Sequence, residues 1–180
     1  MAFWVRLSLM VTVALPKFRG VSRTLARRYT PREVMEFSIN PHNGIGSIKL
    51  GMPRTEVREI LGGSFDSSRN SLDYYFNGNL QVEFENDLVS FIGVALDESY
   101  VVTYLGVNVF DVEASKLFAL ISANEPLEHT FERSEYVFPE QIITLYDADE
   151  QYDYLGNHQR SIWGQIGLGS KTYLNAVSGV

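Results

Sequence analysis

Apolar and polar residues alternate most regularly between Leu72 and Val94. Three short β-favouring runs, 72–76, 80–84 and 88–94, predict an antiparallel meander. In the middle run Leu80, Val82 and Phe84 alternate with Gln81, Glu83 and Glu85. One face is therefore buried and the other turns to water or to a partner. Phe76-Asn77-Gly78-Asn79 joins the first two runs, and its Asn-Gly pair supplies the two φ > 0 residues of a type I′ hairpin turn. Asn86-Asp87 is a second turn-forming dipeptide.

Upstream of the meander the period changes. In Pro53-Arg54-Thr55-Glu56-Val57-Arg58-Glu59-Ile60-Leu61-Gly62, the residues Val57, Ile60 and Leu61 fall at i, i+3 and i+4. That spacing predicts a short amphipathic helix, with Pro53 in its first turn and Gly62 as a left-handed terminus. Residues 44–50 read as a loop entering a short extended piece.

The same order of loop, helix and strands recurs downstream. A shift of 60 places Gly46 on Gly106, Leu50 on Phe110, Met52 on Val112, Val57 on Leu117, Ile60 on Leu120 and Leu61 on Ile121. Asp111 then stands as the N-cap of a helix over 112–121. A shift of 62 places Phe76 on Phe138, Leu80 on Ile142 and Phe84 on Tyr146, with Pro139-Glu140 where Asn-Gly stood. A last strand over 162–168 matches 91–94 after an insertion at about 149–160. The expected fold is α+β, made of two tandem helix-plus-antiparallel-sheet repeats, 35–100 and 101–180, with the helices on one sheet face.

The segment Ile48-Lys49-Leu50-Gly51-Met52-Pro53, running through the helix to Leu61-Gly62, resembles a family motif. It is similar to the helix opening of the small outer-membrane assembly lipoproteins (the SmpA/OmlA domain) and of the β-lactamase inhibitor protein family. In those families a Gly-Met pair opens a short helix ending at Leu-Gly, and a meander with a tyrosine in its first strand follows. Tyr74, Tyr75 and the run 80–84 keep that order. The resemblance spans about 45–95 directly, and 105–168 through the repeat. It departs at Pro53, where the family usually carries a serine or threonine cap, and it lacks the lipid-bearing cysteine. The resemblance implies a protein binder that uses the open sheet face, not an enzyme; several immunity proteins against secreted toxins share this build.

Charge divides the chain. Residues 1–34 hold seven basic residues and one acid, a net +6, whereas 35–180 carry a net −13 within the overall −7. Such a shift marks a segment boundary near Met35. The apolar stretch 3–15 is too short to span a membrane. Its positive charge follows the apolar run instead of preceding it, unlike a secretory signal. The leading expectation is an over-extended start ahead of Met35; a presequence or anchor, or a folded part of the domain, are the alternatives.

The chain of 180 residues has no cysteine and three histidines, His42, His129 and His158. Thiolate metal sites, disulfides and cysteine nucleophiles are therefore excluded, and each histidine falls in an expected loop. The stretch from Gly164 to Thr172 has a glycine-rich look, but its lysine is one position late for a phosphate loop. It reads as a strand end. Tyr146, Asp147, Asp149, Glu150, Tyr152, Asp153 and Tyr154 form an acidic, tyrosine-rich segment. It lacks the glycine and terminal glutamate of an EF-hand, so a solvated loop is expected first, a partner-binding loop second and a metal site last. No catalytic motif is present.

The function expected from these features is a non-enzymatic, cytoplasmic, acidic protein-binding module of the immunity or inhibitor type. It needs no cofactor and no metal. Its partner is a basic protein, since a body of −13 repels nucleic acid and attracts cationic surfaces. The expected contact surface joins Gln81, Glu83 and Glu85 to Tyr146, Asp147, Asp149, Glu150, Tyr152 and Asp153. Two alternatives stand beside it: a small carboxylate-dependent hydrolase or nuclease built on Glu83, Glu85 and Asp147, and an envelope-assembly factor. An enzyme demands a closed cleft with raised carboxylate pKa values; a binder demands an open face with aromatics beside acids.

Overall fold

Phe37 and Ile39, two residues apart, are both buried, and the strand that carries them is the first that the structure describes. The structure is a computed structural model, which describes residues 34–147, 152–155 and 158–178. Strand β1 (Met35–Asn40) turns back through β2 (Gly44–Ile45) and β3 (Ile48–Lys49). Gly46 makes this ribbon possible: its φ is +58°, and a Cβ there would meet the Phe37 ring at 2.7 Å. The extended piece expected over 44–50 is thus a small hairpin.

Helix α1 (Arg54–Leu61) follows an extended Pro53 and buries Val57 and Leu61. Ile60, expected on the same buried stripe, is 42% exposed. Gly62 is also not the left-handed terminus expected from its identity: its φ is −52° and the chain tightens into a 3-10 turn, Gly62–Ser64. The meander comes next as β4 (Phe65–Arg69), β5 (Leu72–Tyr75), β6 (Leu80–Glu85) and β7 (Leu88–Val94), all antiparallel neighbours. The three runs read from alternation are therefore strands, and β4 adds an edge that its polar sequence, Asp66-Ser67-Ser68, conceals.

The turns differ in one respect from expectation. Asn86 and Asp87 have φ of 53° and 61° between the paired residues Glu85 and Leu88, a two-residue hairpin. The loop from β5 to β6 is wider. Tyr75 pairs with Leu80, and Phe76, Asn77 and Gly78 all take positive φ. Phe76 is held in that disfavoured region by its ring, which is buried edge-on against Phe37 and Tyr100.

The second half runs β8 (Tyr100–Tyr104), β9 (Val107–Asn108), α2 (Ala114–Ser122), β10 (Thr130–Glu132), β11 (Glu135–Phe138) and β12 (Ile143–Tyr146). It continues through a separate hairpin, β13 (Tyr152–Leu155) and β14 (His158–Ser161), then β15 (Gln165–Gly169) and α3 (Lys171–Ser178). Asp111 does not cap α2, which starts later, after Glu113. The Asp111 carboxylate instead accepts from Asn108 and lies 3.5 Å from Arg160. Ile142, matched to Leu80 by the shift of 62, sits in the loop with φ 55°, and the strand begins one residue later. Residues 162–164 lie ahead of β15, so the last strand is shorter than expected at its start.

Two sheets result. Eight strands line up as β10-β11-β12-β15-β7-β6-β5-β4, joined at the middle by the antiparallel pair β7 and β15. Five more line up as β3-β2-β1-β8-β9, with β1 and β8 parallel. One apolar cluster unites Leu80, Val82, Ile92, Leu145, Ile166 and Leu168 of the large sheet with Phe37 and Val102 of the small one and with Val57 and Leu117 of the first two helices. The class is α+β, and Glu33–Val180 form one compact unit. The two predicted helices contact the inner face of the large sheet, through Arg54 to Asp73 and through Phe118 to Phe138. The third helix was not expected, and it lies on the other face, with Tyr173 stacked on Phe91. Ser170 starts it: its Oγ accepts from the Tyr173 N–H, as an N-cap does. No helix among the described residues is long and apolar enough to cross a membrane.

Candidate functional site

The register of the large sheet determines what its outer face carries. Gln81 lies opposite both Tyr74 and Gly93, and Glu83 opposite both Leu72 and Phe91. Gly167 pairs with Gly93 and with Thr144, while Gln165 pairs with Tyr146, which in turn faces Glu135. The two central strands therefore present glycine to this face. A Cβ on Gly167 would strike the Phe91 ring and Thr144 Oγ1, and one on Gly93 would meet Gln165 and Gln81. Glycine at these positions lets Phe91, Gln165 and Gln81 lie flat across the central strands, and the face is hollow above them.

The hollow is an open groove of about 480 Å³ lined by Gln81, Glu83, Phe91, Glu135, Tyr146, Gly164, Gln165 and Tyr173. Phe91 and Tyr173 stack with centroids 4.4 Å apart and form one wall. Gln81 Nε2 donates to Gln165 Oε1 across the floor at 3.3 Å. Glu83 and Glu135 are half-buried, and among the described residues neither forms an ion pair.

That environment alters the acids. Burial pushes the Glu83 carboxyl above the usual glutamate range, and the charge of Glu135 adds to the shift. Glu135 is likewise pushed up by burial, against a smaller opposing effect of its hydrogen bond with Thr144. The Tyr173 hydroxyl is raised by burial and then by the charges of Glu135 and Glu83. Taking a carboxylate partly out of water without a cation is unfavourable. The groove thus holds negative charge that a bound cation would relieve.

Of the residues expected at the contact surface, Gln81, Glu83 and Tyr146 come together in this groove. Glu85 is exposed at the end of β6 beside the Asn86-Asp87 turn and does not line it. Asp147 follows Tyr146 with φ 53°, its N–H donating to the Ser134 carbonyl. Asp149 and Glu150 lie outside the described residues; Tyr152 and Asp153 fall in β13, which pairs with β14 and joins neither large sheet. His42 is exposed in the turn after β1, and His129 packs on Phe118 at 5.0 Å. No group of three metal-ligating side chains is found among the described residues.

Glu135, Phe91 and Tyr173 escaped the sequence reading. Glu135 reaches the groove only because β15 inserts between β12 and β7, a crossover that no local pattern announces. Tyr173 was readable in principle, since Ser170 and the apolar residues Tyr173, Leu174 and Val177 have helical spacing.

A second cluster lies on the inner face. Asp73 is fully buried, and its carboxylate accepts from Arg54 Nη2 at 2.6 Å and from Arg58 Nε at 2.8 Å. Burial pushes this carboxyl up, but the hydrogen bonds from Arg58 and Arg54 outweigh it and hold it well below the usual aspartate range. A shallow hollow of about 430 Å³ beside it is lined by Arg54, Arg58, Ser68 and Asp87. Asp73 and Asp87 together balance the two arginines, so the cluster fastens α1 to β5. The half-buried glutamates of the outer groove, by contrast, form no ion pair among the described residues. No protein-family model, curated protein or solved structure matches this chain, and its site is read from its own chemistry.

Proposed function

We propose that the chain is a non-enzymatic protein-binding module whose outer sheet face holds a basic partner, as an immunity or inhibitor-type protein does. The observation that supports this most is the open groove in which Glu83 and Glu135 stand beside aromatic rings and, among the described residues, form no ion pair. Aromatic side chains with a few fixed polar groups are a composition suited to a protein interface. Residues 35–180 carry −13, which speeds the encounter with a cationic surface and weakens it in salt. The order of helix and four antiparallel strands, met once in α1 to β7 and again in α2 to β15 with the β13–β14 hairpin inserted, supports the tandem-repeat reading. Likeness to the lipoprotein and inhibitor families remains part of this proposal, as does a cytoplasmic location.

The test is affinity capture from the source cell at low salt and at about 0.5 M salt. A basic partner that is lost at high salt and lost with Glu83→Lys/Glu135→Lys supports the reading. A partner that is acidic, or one indifferent to both changes, removes it.

The raised carboxyls of Glu83 and Glu135 also favour a second reading, a hydrolase in which these two act as acid and base. The groove is open, whereas such chemistry gains most from a site that excludes water. Turnover of a simple ester, glycoside or nucleic-acid substrate that vanishes in Glu83→Gln would establish it over binding.

A further inference from the structure

We propose that the outer groove is an anchor pocket for a single arginine side chain of the partner protein, its guanidinium held between the carboxylates of Glu83 and Glu135 and against the rings of Tyr146 and Tyr173. This rests on the protein-binding reading and specifies what the groove takes.

Three features of the groove select the occupant. The first is charge. The ion pairs among the described residues engage Asp73, Asp87, Asp111 and Glu132, and none engages the two groove glutamates. Both are half-buried, so each carries a desolvation penalty that a cation between them would offset. The second is depth. The groove is open to about 480 Å³, because glycine at 93 and 167 lets Gln81, Gln165 and Phe91 lie across the central strands as its floor instead of standing up from it. A long unbranched stem can therefore enter. The third is the wall. Guanidinium is flat and weakly hydrated, tolerates partial burial and stacks on aromatic faces, whereas ammonium holds its water tightly. A planar cation with donors on both sides also matches two separate carboxylates better than a point charge does. The Gln81 and Gln165 amides, already bonded to each other, orient the floor.

The experiment is a titration of the 15N-labelled full chain with N-acetyl-arginine amide, followed by amide NMR at low salt and neutral pH. Controls are N-acetyl-lysine amide and N-acetyl-citrulline amide; citrulline keeps the shape of arginine without its charge. The expected result is saturable shifts at Gly93, Gly167 and Gln165 with arginine, and binding weaker by about tenfold or more with citrulline and with lysine. Glu83→Gln and Glu135→Gln, each isosteric and each relieving a buried charge, should each weaken arginine binding while leaving the melting temperature unchanged or higher. Absence of shifts, shifts centred elsewhere, or citrulline or lysine binding as well as arginine overturns the anchor. Capture of a basic partner undiminished by Glu83→Gln/Glu135→Gln overturns it too, while leaving the binding reading in place. Arginine binding in the groove with no basic partner captured supports the pocket and sinks the binding reading alone.

Discussion

Arg54 Nη2 lies 2.6 Å from Oδ1 of Asp73, a carboxylate with no exposed side-chain surface. Arg54 sits in the first turn of α1 and Asp73 in β5, so the contact sets the helix against the inner sheet face. Arg58, one turn on, approaches the same carboxylate at 2.8 Å, and Tyr75 donates its hydroxyl to it. Burial followed by the Asp73 charge pushes that phenol up to about 12.

Removing the carboxylate leaves the largely buried Arg54 with only the exposed Asp87, 3.8 Å away, as a counter-charge. Asp73→Asn should therefore cost about 3–5 kcal/mol in urea unfolding, as when one partner of a buried pair is deleted. Arg58→Ala should cost about 1 kcal/mol or less, since its side chain is 44% exposed and Arg54 still neutralises Asp73. Equal losses at the two positions would show that the clamp is shared evenly, contrary to the burial.

The alternation in β6 separates two neighbours by face. Phe84 is 5% exposed on the inner side, beneath the Arg54 guanidinium at 4.9 Å from its ring centroid. Phe84→Ala should cost about 3–5 kcal/mol by opening a cavity. Glu83→Gln, on the groove side, should be neutral or slightly stabilising. Matching losses at both sites in urea unfolding would mean the register is wrong.

The central glycines give a sharper test of the groove. Gly167 has no room for a Cβ, because Phe91 and Thr144 already occupy that space. Gly167→Ala should displace the Phe91–Tyr173 stack and cost about 1–3 kcal/mol through overpacking. Gly78→Ala is a useful contrast: open space surrounds it, and only its φ of +86° opposes a side chain, at about 1–2 kcal/mol. A melting shift confined to Gly78→Ala would show that the floor of the groove is looser than its geometry.

The residues whose neighbours are close in sequence were the legible ones. Leu80, Val82 and Phe84 declared a strand and its buried face by period alone, and Asn86-Asp87 declared the turn that both residues make with positive φ. Phe37 and Ile39, and Tyr100, Val102 and Tyr104, alternate too, but these runs are too short to announce strands β1 and β8 by period alone. Contacts between distant residues left no local trace. Asp73 read as an ordinary strand acid until α1, 15 and 19 residues upstream, supplied its two arginines. Glu83 was legible as a residue on the outer face, but its groove neighbours Tyr173 and Glu135 come from α3 and from the far side of the sheet crossover. Local period reveals which face a side chain takes; only topology decides what it meets there.

The two acid clusters predict opposite responses to pH. Asp73 has a folded pKa below its unfolded value, so its contribution is present above the ordinary aspartate range, about 4, and is lost as pH falls through the folded value. Glu83 and Glu135 are shifted the other way by burial. The folded state holds their protons more tightly, so their contribution is complete below about pH 4 and is lost as pH rises through the raised values. Stability of the wild type should consequently decline from mildly acidic toward neutral pH on account of the groove, and decline again in strong acid on account of the clamp. Urea midpoints measured from about pH 1.5 to pH 8 test both limbs. Glu83→Gln/Glu135→Gln should flatten the upper limb and leave the acid limb as it was. Asp73→Asn should do the reverse, at lower stability throughout. Upper limbs that run parallel in wild type and the groove variant would mean that water reaches both glutamates freely, and the groove would then hold no unmet charge for a cation to relieve.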